Sequence, residues 1–123
     1  MKSILFSILF ASSAFVLAAA DAPSVTGQWQ VHINIADNES DSTCNFTQKG
    51  NDFTGTCTGQ NGQVNVTGKV DGKDVSWTYK SEYNGGPITL TYKGKLQPTG
   101  KMGGSVSVEE YGADGDFTAT KSQ

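Results

Sequence analysis

Arginine is absent from all 123 residues, and histidine occurs once, at His32. Arginine is the planar clamp that proteins use for phosphates, carboxylates and guanine edges. Without it, and with a net charge of −3 and a pI near 4.9, nucleic acid is not an expected partner. The lysines are scattered among turns and outward strand positions and form no basic stripe. A lone histidine has no second imidazole for a metal site, and a Ser-His-acid triad needs partners around its ring. Neither a metal nor a cofactor is therefore expected. Beyond residue 20 no apolar run is long enough to cross a bilayer. No segment carries the apolar stripe and caps of a helix. These absences leave an all-β chain without enzyme chemistry.

Residues 1–20 read as a secretory signal peptide. Lys2 gives a short basic start, residues 4–17 are mostly apolar, and Ala18-Ala19-Ala20 supplies a small-residue cleavage pattern. The alternative is an uncleaved anchor, for which the run is short and broken by serines. Cleavage after Ala20 leaves one domain, residues 21–123, in a secreted or periplasmic compartment and with no remaining membrane span.

Eight segments of this domain alternate apolar and polar residues with the period of a half-buried strand: 28–36, 43–49, 52–58, 63–70, 74–80, 87–96, 101–109 and 116–121. A polar loop over 37–42 follows the first. Gly50-Asn51, Asp71-Gly72-Lys73, Asn84-Gly85-Gly86 and Pro98-Thr99-Gly100 are turn sequences, as are residues 59–62 and 112–115. Glycines recur inside the strands at Gly55, Gly68, Gly94 and Gly104, as at barrel corners. With Asp71-Gly72 as the turn, Val66 faces Trp77, Val64 faces Tyr79 and Gly68 faces Val75, so one face holds the large apolar residues. With Gly50-Asn51 as the turn, Cys44 lies opposite Cys57 at a close, non-hydrogen-bonded site. That pairing predicts a disulfide in an oxidising compartment; the alternative is two buried free thiols. Closing the first strand on the last removes both sheet edges. The expected fold is an eight-stranded antiparallel up-and-down barrel, monomeric, with Trp29 and Phe117 neighbours at the seam.

Val25-Thr26-Gly27-Gln28-Trp29, Val75-Ser76-Trp77 and the closing phrase from Gly115 to Lys121 resemble the calycin-type barrels, lipocalins and avidins. The avidin ligand positions correspond to Val31, Cys57, Tyr92, Leu90, Ile88 and Gly115, with only Trp77 kept. Biotin binding is therefore not implied. Phe53-Thr54-Gly55-Thr56, Gly68 to Ser76, Tyr92-Lys93-Gly94 and Phe117 to Lys121 look closer still to small secreted bacterial domains of unassigned function. Thr26-Gly27-Gln28-Trp29 is also similar to the opening of small periplasmic metalloprotease inhibitors, eight-stranded barrels with one disulfide. Those inhibitors thread their amino-terminal tail into the protease cleft, which here implies Asp21 to Val25 as the tail.

Few residues bear on chemistry. His32 falls outward between Gln30 and Asn34 and reads as a surface histidine. Asp37, Glu39 and Asp41 have a calcium-loop spacing without the mid-loop glycine or distal glutamate, and read as a solvated loop. Glu109 and Glu110, adjacent on a strand, point to opposite faces and cannot form an acid–base pair. The sequons at Asn38, Asn45 and Asn65 read as products of a Thr- and Asn-rich surface. The barrel interior is the remaining candidate site. A barrel of this strand number is either just filled or holds one small ligand. Glycines 55, 68 and 94 favour space, and seven inward aromatic rings favour filling. Candidate ligand-binding residues are Trp29, Phe53, Trp77, Tyr79, Leu90 and Tyr92, suited to a small hydrophobic or aromatic ligand. The expected function is a non-enzymatic binding module for such a ligand or for a secreted protein. The alternatives are a protease inhibitor and a structural envelope domain with a filled core.

Overall fold

The computed structural model describes residues 24–60 and 62–122. The expected signal peptide and residues 21–23 lie outside the described residues. Eight strands run in sequence order: β1 (Gly27–Ile35), β2 (Asn38–Lys49), β3 (Asp52–Gly59), β4 (Gly62–Asp71), β5 (Asp74–Tyr83), β6 (Gly86–Gln97), β7 (Lys101–Val108) and β8 (Ala113–Ser122). Each pairs antiparallel with its neighbours in sequence, and β1 pairs with β8, which closes an up-and-down barrel. The alternation read from the sequence makes this possible, because along most of each strand inward residues are apolar and outward ones polar.

Outside the barrel, consecutive registers bring Thr47, Thr54, Thr67, Thr78 and Thr91 into one row across β2 to β6. β-Branched residues pairing across strands stabilise a solvated sheet face. Inside, the expected inward positions are buried or packed against the core, with Val64 and Tyr79 in the half-buried group. Cys44 and Cys57 face one another in register and form the disulfide, their Cα atoms 4.0 Å apart.

The glycines do not leave space. A Cβ at inward Gly68 would lie 2.3 Å from Cζ of Phe53, and one at Gly94 would lie 2.8 Å from Cζ of Phe117. A Cβ at Gly55 would meet the Asn45 carbonyl oxygen at 1.8 Å. Two glycines are thus slots for aromatic rings, and the third is where two strands coil tightly together.

Three expectations of detail are corrected. The loop over 37–42 is a two-residue turn, Ala36-Asp37, with φ of 52° and 67°, and Asn38 to Ser42 already belong to β2. Their polar character hid the strand, since Ser40 and Ser42 occupy inward positions opposite Ile33 and Val31. The β4–β5 register is shifted by two: Gly68 faces Trp77 and Val70 faces Val75, around a Gly72-Lys73 turn. A shift of two keeps every side chain on its face, so alternation cannot detect it; the glycine at the first turn position, φ 63°, fixes it. At the seam, Ile33 rather than Trp29 faces Phe117, and Trp29 faces Lys121.

Candidate functional site

The two ends of the barrel are built differently. At one end lie the residues that lead into β1 (24–26) and the β2–β3, β4–β5 and β6–β7 turns. Val25, fully buried, plugs this end: its carbonyl accepts from the Trp29 indole N–H at 2.9 Å, and its own N–H donates to Oε1 of Gln48 at 2.8 Å. Above the plug the interior is filled with rings. Trp77 stacks on Tyr92 with centroids 4.6 Å apart, and Phe46 and Phe117 pack against Trp77 at 5.3 and 5.1 Å. The Trp77 indole N–H has no hydrogen-bond partner among the described residues.

Toward the other end, inward residues change character. Along β2 they run Phe46, Cys44, Ser42, Ser40, and along β5 Trp77, Tyr79, Ser81. Between these strands lies a hollow of about 110 Å³, with Ile33, Val64, Cys57 and Tyr79 as its apolar wall. Ser40, Ser42, Ser81 and Gln60 add polar groups to its lining. The Tyr79 and Tyr92 hydroxyls are 2.8 Å apart, joining a residue that lines the hollow to one that stacks on Trp77 in the packed rings. Burial pushes both phenols above their ordinary range, Tyr92 the further.

The rim of this open end is acidic. It carries Asp37, Glu39 and Asp41 on the first hairpin, Glu82 on β5, Glu109 and Glu110 in the β7–β8 turn, and Asp114 and Asp116 on β8. Lys80 is the one lysine in this half among the described residues; the others lie in the closed half with Asp52, Asp71 and Asp74. Tyr83 and Tyr111, 53% and 57% exposed, sit on the acidic rim in edge-to-face contact, centroids 5.9 Å apart.

Several residues singled out in the sequence meet here. His32 is outward as expected, but both ring nitrogens are engaged, Nδ1 with Asp41 at 2.6 Å and Nε2 with Glu39 at 2.9 Å. Those hydrogen bonds, Asp41 first, raise its pKa above 6.5. With no nitrogen free, the imidazole has none to activate a nucleophile. Glu39 and Asp41 are therefore strand residues clamping a histidine, not members of a loop. Glu109 and Glu110, by contrast, are not on a strand. They lie in a 3₁₀ turn, and both reach the outer side of β6. Glu109 accepts from Oγ1 of Thr91 at 2.8 Å. Glu110 accepts from the Thr89 N–H at 2.6 Å and its Oγ1 at 2.8 Å, bonds that hold its pKa below the usual range, the N–H foremost. Asn38, Asn45 and Asn65 are all exposed.

Of the candidate ligand-binding residues, Trp29, Phe53, Trp77 and Tyr92 lie in the packed part of the barrel. Leu90 faces Tyr79 across β5 and β6, and Tyr79 lines the hollow. Sequence reasoning missed Ser40, Ser42, Ser81 and Gln60. The signal for the serines was parity, since Ser42 and Ser40 continue the face of Cys44, and Ser81 that of Tyr79. Val25, counted in a threading tail, is instead part of the core. Compared with known proteins, the chain matches no family model and no curated protein.

Proposed function

We propose that this chain is a secreted, non-enzymatic binding module that takes a small, mostly apolar ligand, or the apolar end of a larger one, at the open end of its barrel. The observation that carries this reading is the contrast within one interior: rings fill one half, and a hollow walled by Ile33, Val64 and Tyr79 remains in the other. Binding sites are typically concave and apolar, with a few placed polar groups, and barrel mouths are common places for them. Tyr79 and Leu90 stay on the ligand side in this reading, while Trp29, Phe53, Trp77 and Tyr92 form the scaffold beneath. The Cys44–Cys57 disulfide supports export, because such bonds persist in oxidising compartments. Titration with the neutral fluorescent probe N-phenyl-1-naphthylamine tests the reading. An emission increase is expected, lost in Val64→Trp, which fills the hollow, with the thermal transition retained. No increase, or one unchanged by Val64→Trp, overturns it.

A further inference from the structure

We infer that the ligand of this site is a neutral or cationic molecule with a small ring or acyl head bearing an uncharged oxygen acceptor, received by the hydroxyl of Tyr79. This inference rests on the binding reading above and concerns what the hollow selects. The Tyr79 and Tyr92 hydroxyls share one hydrogen bond of 2.8 Å, which uses one of their two protons. Tyr92 is buried to 1% exposure and has no other hydrogen-bond partner among the described residues. Were Tyr79 the donor, the Tyr92 proton would be left buried and unpaired, the expensive arrangement for a polar group. With Tyr92 donating, the remaining proton belongs to Tyr79, which is half-buried and lines the hollow. The packed aromatic core thereby orients a phenol as a donor at the base of the site.

Size and charge narrow the class further. The hollow, about 110 Å³, is smaller than the roughly 150 Å³ apolar cavity that admits benzene. It receives a ring or branched acyl head only in part, and the rest of the ligand projects from the mouth. There the eight rim carboxylates face one lysine and one histidine, a field that disfavours anions and attracts cations. The acceptor is therefore a ketone, amide or ester oxygen and not a carboxylate.

Three probes of similar shape separate these statements: acetophenone, with a neutral acceptor; ethylbenzene, with none; and benzoate, an anion. Each is titrated into the disulfide-bonded protein and followed by NMR shifts of residues around the hollow. Acetophenone is expected to bind on the order of three- to tenfold more tightly than ethylbenzene, the range of one net hydrogen bond. Benzoate is expected to be the weakest. In Tyr79→Phe, acetophenone falls to the ethylbenzene level and ethylbenzene is unchanged. Equal binding of acetophenone and ethylbenzene by the parent overturns the donor assignment and leaves mouth binding intact. Benzoate binding best overturns the charge selection. If none of the three binds, the binding-module reading falls, and this inference with it.

Discussion

The closed and open halves of the barrel share the same strands and alternation, yet they are built for different ends. In the closed half two inward vacancies are matched to rings: Phe53 fills the slot at Gly68 and Phe117 the slot at Gly94. Val25 seals that end. In the open half β2 gives way from Phe46 to Ser42 and Ser40, and β5 from Trp77 to Tyr79 and Ser81. The turn there places Ala36, a residue with a Cβ, at φ 52°, a left-handed conformation that costs about 1–2 kcal/mol. Strain, exposed tyrosines and like charge gather at one end, where they do not disturb the packed core at the other. A small domain has few kcal/mol of stability. Separating the ring-filled half from the mouth lets the mouth change without unfolding the barrel.

The sharpest way to break this contrast is truncation in each half. Trp77→Ala removes the ring that Phe46, Tyr92 and Phe117 pack against. It should cost roughly 3–5 kcal/mol in urea denaturation. Tyr79→Ala, one inward position toward the mouth, should cost less, about 2–3 kcal/mol, because a half-buried ring loses fewer contacts even though the Tyr92 hydroxyl loses its partner. Equal losses would show that the open half is as much core as the closed one.

The disulfide sits on the boundary, with Phe46 on one side of Cys44 and Ser42 on the other. Its partners are 13 residues apart in sequence, so the chain-entropy account gives roughly 3 kcal/mol. A Cys44→Ser, Cys57→Ser variant should therefore melt well below the parent. Its amide exchange should rise most along β2 and β3 next to the hollow, and least in β5 to β7. A melting temperature equal to the parent's would mean that the ring-filled half carries the hairpin unaided.

Much of the closed half was legible in the sequence, and less of the open half, for one physical reason. Apolar alternation and the Gly50-Asn51 turn mark strands that bury one face, so β3, β4 and the Cys44–Cys57 register could be read directly. The start of β2 is different. Ser40, Asp41 and Ser42 carry no apolar residue because their inward face lines a mouth, and Ala36-Asp37 is not a residue pair that announces a positive-φ turn. A strand without a buried face looks like a loop. The β4–β5 register failed for another reason, since an even shift is invisible to alternation and only the turn geometry decides it. The ring-filling role of Gly68 and Gly94 was also hidden: a glycine in a strand signals close approach without saying what approaches.

The smallest expected effect lies on the outer surface of the open half, at His32. Its two carboxylate partners, Asp41 and then Glu39, raise its folded pKa above the ordinary 6.5. A raised folded pKa means that the native state binds the proton more tightly than the unfolded chain does. The resulting stabilisation is fully present below the unfolded value of about 6.5 and fades as pH rises through the folded value. Because the ring and both carboxylates are well exposed, solvent and salt screen the cluster, and the effect on melting should be slight. Proton titration of the His32 ring by NMR is the more sensitive measurement. It should give a pKa above 6.5 in the parent, lower in Asp41→Asn, and lower again when Glu39→Gln is added. The parent should also lose a small increment of stability relative to His32→Gln as pH is raised from 6 to 8, and less of it in high salt. A ring that titrates at its ordinary value in the parent would mean that the carboxylate clamp is open in solution. The first hairpin of the mouth would then be held by its backbone ladder alone.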